Sequence, residues 1–401
     1  MIKKGLDIMC KRFLAIVLCL LMIAGLAACK GGDDPAATTA ATTAAETTAA
    51  TTAATTLSEE ELKQAELVEY LSSVSYRKFE LTGSNEPYFM GRWFAKDLDG
   101  VRHMVSVTSG SHCYILTDGA TSIDVNFTLL TSATSTHFAY SIDGAEPQRQ
   151  LCTESKVNLP DAKLHTVRII LDGIYEGHGE KWTDETGYAL KSITASEGGV
   201  IYGIKPTEKI IFYYGDSITE GIYALGEATK HNSAVNSFTW HSAEKLGATP
   251  YFIGYGGTGF TQGVEQSKSF ATMIEAIDYN SKDRPVEDGI VPDVIVISHG
   301  TNEGSTTVPD FKAAAKAAID RVIEKYPNTP IFYLGHGSHI NNKYAFCELV
   351  TRDYDNVYWV GSRDWNITFT DSCHPNAAGA KVLGEKLAAE MIKVLGDDFF
   401  E

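Results

Sequence analysis

The sequence predicts an α/β protein in which an antiparallel β-sandwich precedes a three-layer α/β/α domain built on a parallel sheet. Three observations carry that expectation. Between Arg77 and Lys205 short runs alternate apolar and polar residues, with turn signals after them. Beyond Lys209 apolar strands alternate with helical stripes, the rhythm of a parallel sheet covered on both faces. At 401 residues the chain exceeds one ordinary core and leaves room for two domains and further segments.

The N-terminal stretch is excluded from the fold. Lys3, Lys4, Lys11 and Arg12 precede an apolar run from Phe13 to Ala28, too short for a comfortable membrane span. Leu26-Ala27-Ala28-Cys29 resembles a bacterial lipobox, which makes residues 1–29 a lipoprotein signal peptide and Cys29 the lipidated residue. Residues 30–57 are mostly Ala and Thr, have no apolar period, and are expected to be a tether. This implies a lipid-anchored protein on the extracellular face of a bacterial cell envelope, touching the membrane only through the anchor, and a monomer.

The formal net charge of −17, with no basic run after the N-terminus, argues against a nucleic-acid partner. Of seven cysteines, Cys10, Cys19 and Cys29 fall in the targeting segment. The other four, Cys113, Cys152, Cys347 and Cys373, lack zinc-like spacing, and disulfides and free buried thiols both remain open.

Ser58 ahead of Glu59-Glu60-Glu61 predicts a capped helix running to about Tyr70. The sandwich is assigned to residues 58–205. Its clearest strands are Ile123 to Leu130, His137 to Ile142 and Val167 to Leu171, with Asp143-Gly144 and Asp172-Gly173 read as turns.

The α/β domain is assigned to residues 206–401, with strands at Lys209–Tyr214, Thr249–Tyr255, Asp293–Ser298, Ile331–Leu334 and Val357–Val360. Between them, Phe311, Ala315, Ala318, Val322 and Tyr326 form one helical stripe, ended by Pro327.

Sites in such sheets form at the carboxyl ends of the strands. The first strand ends in Gly215-Asp216-Ser217, the second in a glycine-rich turn from Gly254 to Gly259, and the third in Ser298 to Glu303. The fifth leads to Asp371-Ser372-Cys373-His374-Pro375-Asn376, just before the last helix. A serine hydroxyl needs a base to take its proton, and His374 supplies one. Asp371, three residues upstream, suits the role of orienting the imidazole. The oxyanion needs donors already in place, and the amides of Ser217 and Gly257 with the side chain of Asn302 provide them. Each motif alone is common. All of them in order, at strand ends, are not.

Gly215-Asp216-Ser217-Ile218, the Gly257 turn, Gly300-Thr301-Asn302 and Asp371-xx-His374-Pro375 resemble the blocks of the SGNH (GDSL-type) hydrolases over about Ile210 to Leu395. The upstream half is similar to the jelly-roll domain of the family 2 carbohydrate esterases, through Tyr88 to Trp93 and Thr108 to Phe127. The resemblance implies a secreted acetyl esterase that takes acetyl groups from polysaccharides such as xylan or glucomannan, with a serine nucleophile and neither metal nor cofactor. It also implies departures. Glu303 follows Asn302 where aspartate is common, and Ser372-Cys373 stand where a tryptophan often precedes the histidine. Trp365 is then a substitute sugar wall, and His336, with His339, follows the fourth strand as a cleft candidate. Some relatives lack the triad aspartate, which makes Asp371 the more dispensable member. The alternatives are an esterase on cell-wall or small acyl esters, and an inactive carbohydrate-binding surface protein.

Overall fold

The computed structural model describes residues 57–130, 135–174, 181–261, 271–337 and 343–401. The targeting segment with Cys29, the Ala/Thr-rich stretch up to Thr56, and His339 lie outside the described residues. Leu57 to Glu401 form one compact unit.

The unit begins with the helix Glu59–Ser73. Ser58 caps it reciprocally: Glu61 N donates to Ser58 Oγ at 3.3 Å, and Ser58 N donates to Glu61 Oε2 at 2.8 Å. Two antiparallel sheets follow. The first is seven-stranded and centres on His112–Asp118 and His165–Gly173; the second, five-stranded, centres on Tyr188–Ala195 and Ser122–Leu129. Residues of both sheets share one apolar cluster, with Ile115, Phe138, Val167 and Ile169 from the first and Ile123, Val125 and Leu190 from the second. The strand His165–Gly173 is buried at every position. Val167, Ile169 and Leu171 enter that cluster, whereas Ile170 joins Trp240 and Phe252 of the α/β half. The first sheet is therefore covered on both faces.

Asp172-Gly173 is not a turn. It closes this strand, because the Asp172 carboxylate is buried, paired with Arg149, and accepts the Ser233 hydroxyl and Val235 amide. Asp143-Gly144 does turn the chain, with φ of 49° and 76°.

The α/β half carries five strands, β1 (Ile210–Gly215), β2 (Thr249–Gly254), β3 (Val294–Ser298), β4 (Ile331–Gly335) and β5 (Val357–Gly361). All are parallel, in the order β2-β1-β3-β4-β5. Alternate residues go to opposite faces, and both faces are apolar, as a doubly covered sheet requires. Ile211, Tyr213, Val294, Val296, Phe332 and Leu334 meet helices α2 (Phe238–Lys245) and α6 (Ala377–Leu395). Phe212, Tyr214, Ile295, Ile297 and Tyr333 meet α3 (Met273–Asp278), α4 (Val308–Lys325) and α5 (Tyr344–Thr351). The predicted stripe of α4 holds: Phe311, Ala315, Ala318 and Val322 are all buried. These are the three layers expected of the α/β half. The strand order reverses between β1 and β3, and in open α/β sheets ligands bind at that switch point.

Candidate active site

β1 ends at Gly215, and a short helix, α1 (Ser217–Glu220), starts two residues on. A Cβ at Gly215 would lie 1.8 Å from Thr219 Oγ1, so only glycine lets the helix fold back this closely on its strand. Asp216 caps α1 by accepting from Ile218 N at 3.0 Å. Gly221 closes it in the left-handed region at φ 76°. Ser217 thus takes the first helical position, and its amide has no acceptor within the helix.

The Ser217 hydroxyl lies 2.8 Å from His374 Nε2, and His374 Nδ1 lies 2.8 Å from Asp371 Oδ2. With Asp371 ionised, Nδ1 carries the proton and donates it to the carboxylate, which leaves Nε2 as acceptor for the serine proton. Asp371 Oδ1 also accepts from the backbone amides of His374 at 2.6 Å and Cys373 at 2.8 Å. The loop is pinned on either side. Thr370 N donates to His374 O at 2.9 Å, and Asn376 caps α6 through Gly379 N at 2.9 Å.

The oxyanion candidates stand on the neighbouring strand ends. After β2, Thr258 N donates to Tyr255 O at 3.2 Å, and Gly257 sits at the third position of that turn with φ 73°. A type II turn needs a positive φ there, which glycine adopts without strain. After β3, Asn302 reaches both neighbours: its side-chain nitrogen donates to Thr258 O at 2.9 Å and to Asp216 Oδ2 at 3.2 Å. Both amide hydrogens are therefore directed at protein acceptors. Glu303 holds the next loop, accepting from Phe260 N at 2.8 Å and from the Thr261 hydroxyl at 2.7 Å.

Two carboxylates flank the serine and shift in opposite directions. Burial pushes Asp216 up to about 7, against the bond from Ile218 N and with help from the nearby Glu220 and Glu303 charges. Burial also pushes Asp371 upward, but the bonds from His374 and Cys373 outweigh it and hold the group below the ordinary aspartate value.

The structure brings Ser217, His374 and Asp371 into contact, and Asn302 bonds to Asp216, the neighbour of Ser217; Gly257 stands in the turn after β2, the strand paired with β1. His336, the cleft candidate after the fourth strand, lies in the interior. It is 4% exposed, bonded to the Ser298 hydroxyl and edge-on to Phe238 at 5.6 Å, so its ring is taken up by the protein interior. Trp365 is half-buried against the core on the α6 side, with Lys386 Nζ 5.7 Å above its ring. The cysteines Cys113, Cys152, Cys347 and Cys373 are buried, and no disulfide joins them.

Two features escaped the motif reading. Lys181 and Glu220 form a buried ion pair, with side chains 1% and 0% exposed, that ties the antiparallel half to the back of α1. The next residue, Trp182, meets Tyr255 of the Gly257 turn edge-on at 5.6 Å. Lys181 and Trp182 end the sequence stretch Glu176 to Trp182, which matches no catalytic motif and of which residues 176–180 lie outside the described residues. The second is Tyr223, whose ring packs on His374 at 5.3 Å between centroids.

The serine–histidine–aspartate chain stands at the switch point of a five-stranded parallel sheet, where the blocks that resemble those of the SGNH hydrolases place it. Known proteins are similar to the chain in sequence or in fold. No family model matches the chain. The cellulase/esterase CelE of Acetivibrio thermocellus is 29% identical over 223 residues, 50% of this chain and 27% of that protein. The chain thus spans about a quarter of that relative's length. A family two carbohydrate esterase from Clostridium thermocellum, solved with cellohexaose, superposes with a TM-score of 0.63 at 22% identity, over 78% of this chain and 100% of that one. The acetyl xylan esterase Est2A from the rumen bacterium Butyrivibrio proteoclasticus superposes with a TM-score of 0.58 at 14% identity, over 82% of this chain and 100% of that one. The resemblance to the family 2 carbohydrate esterases, first read from the motif blocks, therefore holds for the fold across most of the chain.

Proposed function

We propose that this chain is a serine esterase that removes O-acetyl groups from carbohydrates, with plant polysaccharides such as xylan or glucomannan as the substrate class. The observation that carries the reading is the unbroken hydrogen-bonded series from Ser217 through His374 to Asp371. In this reading Ser217 Oγ attacks the acetyl carbonyl as its proton passes to His374 Nε2. The carbonyl oxygen gains negative charge and is met by the amides of Ser217 and Gly257. Asn302 joins them by releasing one of its two present acceptors. The C–O bond to the sugar then breaks, the sugar oxygen takes the proton from Nε2, and Ser217 is left acetylated. Water, deprotonated by the same nitrogen, attacks the acetyl-enzyme and releases acetate. No step requires a metal or an organic cofactor.

The segments before residue 58 suggest the setting: a lipid anchor on Cys29 and a tether that holds the enzyme on the extracellular face of the envelope, where polymeric substrates are. The two antiparallel sheets are read as a jelly-roll sandwich over residues 58–205 and the remainder as the hydrolase domain, 206–401. Acetate release from acetylated xylan, glucomannan and cell-wall glycan, measured for the wild type and Ser217→Ala, tests the reading. Release from plant polymers by the wild type alone supports it; release only from cell-wall glycan or from small esters would replace the substrate class.

A further inference from the structure

Six non-glycine residues have a left-handed backbone among those described: Asp99, Asp143, Asp184, Asp283, Asn366 and Tyr223. Five are aspartate or asparagine, whose short polar side chains tolerate this region. Tyr223, at φ 56°, is the bulky exception. Strained residues persist where their surroundings over-determine them, and they cluster at functional sites. The surroundings here are specific. Tyr223 N donates to Asn232 Oδ1 at 3.0 Å, and its carbonyl accepts from Gly226 N at 3.1 Å and from Thr370 Oγ1 at 2.8 Å. Thr370 is the neighbour of Asp371, so the strained residue is tied to the loop that carries His374. Its partly exposed ring meets the imidazole edge-on, with the planes at 76°.

We propose that Tyr223 is a specificity-determining residue that packs against the alcohol portion of the ester. The inference rests on the esterase reading above and on one requirement of its chemistry. The departing alcohol oxygen must come to His374 Nε2 to collect its proton, whereas the acetyl group stays on the Ser217 side. Atoms of the alcohol beyond that oxygen therefore lie beside whatever flanks the imidazole. Tyr223 flanks it. A flat aromatic face there suits the C–H face of a saturated six-membered ring and gains little from a short chain. The chain thereby holds an aromatic wall without a tryptophan next to the histidine, where Ser372-Cys373 stand.

The test uses three acetate esters, ethyl acetate, cyclohexyl acetate and a monoacetylated methyl xylopyranoside, with the full chain and the variants Tyr223→Gly and Tyr223→Phe. Tyr223→Gly removes the ring and relieves the backbone. It is expected to melt no earlier than the wild type while its kcat/KM for the two cyclic esters falls about tenfold further than for ethyl acetate. Tyr223→Phe keeps the ring and should keep the wild-type ratio. An equal loss on all three esters, or early melting of Tyr223→Gly with unchanged ester preference, overturns the assignment. A wild type that cleaves cyclohexyl acetate but not the sugar ester instead overturns the carbohydrate reading, and the comparison of cyclohexyl with ethyl acetate still decides on Tyr223.

Discussion

The two sides of the candidate site are built differently. On the serine side the side chains of Asp216, Glu220 and Asn302 are buried, and partners come from well along the chain: Lys181 to Glu220, and Asn302 to Asp216. On the histidine side the carboxylate of Asp371 is 28% exposed and bonds within its own loop, to residues two and three positions on. The serine is held by tertiary structure and the base by a local motif. Damage to the first should spread into stability, whereas damage to the second should stay in catalysis.

The largest expected effects share both sides. Ser217→Ala and His374→Ala should each lower kcat by about 10⁴ or more, because members of such a unit fail together. Asp371→Ala should be milder, since water can reach the imidazole from that exposed side; a loss equal to that of His374→Ala in the same assay would break the contrast. Lys181→Met should destabilise the protein by about 3–5 kcal/mol, as an unpaired Glu220 charge is left in the interior. Urea unfolding measures it, and adding Glu220→Gln should recover part of the loss. A Lys181→Met variant as stable as the wild type would show that the pair does not hold α1.

Asn302→Ala separates two roles of one side chain. As an oxyanion donor it is expected to cost about 10²–10³ in kcat. As a mere tie between Asp216 and Thr258 it would lower the unfolding midpoint and leave kcat within a few-fold. The loss in kcat is expected together with a lowered midpoint, because the same amide also ties Asp216 to Thr258.

The same division explains what the sequence made legible. The histidine side was readable because Asp371 and His374 are three residues apart, and short spacing survives without knowledge of the fold. The apolar run of β1 and the glycine at its end likewise announced Ser217. Lys181 and Glu220 are 39 residues apart in the chain, and no local pattern pairs them. Asp172-Gly173 read as a turn because turn chemistry is a local prior; the buried partners Arg149 and Ser233 that keep it in a strand are tertiary. His336 looked like a site residue because it follows a strand, yet its depth in the interior follows from Phe238 and Ser298. Tyr223 carried no sequence signal, since a left-handed tyrosine is a property of the backbone around it.

The smallest expected effect sharpens the contrast between the two carboxylates. Asp216 titrates near 7 in the folded protein and near 4 when unfolded. Between those values the folded state binds more protons, so its contribution to stability is complete at about pH 4 and is lost as pH rises through 7. Asp371 is shifted the other way: its contribution is present above the unfolded value and is lost only as pH falls through its lowered folded value. Asparagine does not titrate at either site. The gap in unfolding free energy between Asp216→Asn and the wild type should therefore shift in favour of the variant as pH rises from about 4 to 7, by no more than about 1.4 kcal/mol per pH unit. The corresponding gap for Asp371→Asn should stay flat over the same window. Urea titrations at several pH values measure both, and contributions from groups distant from the substituted carboxylate cancel within each difference. A flat Asp216→Asn gap would mean that the buried carboxylate is ionised throughout, held by Asn302 and Ile218 more firmly than its burial opposes, and that the serine side is less unlike the histidine side than its burial implies.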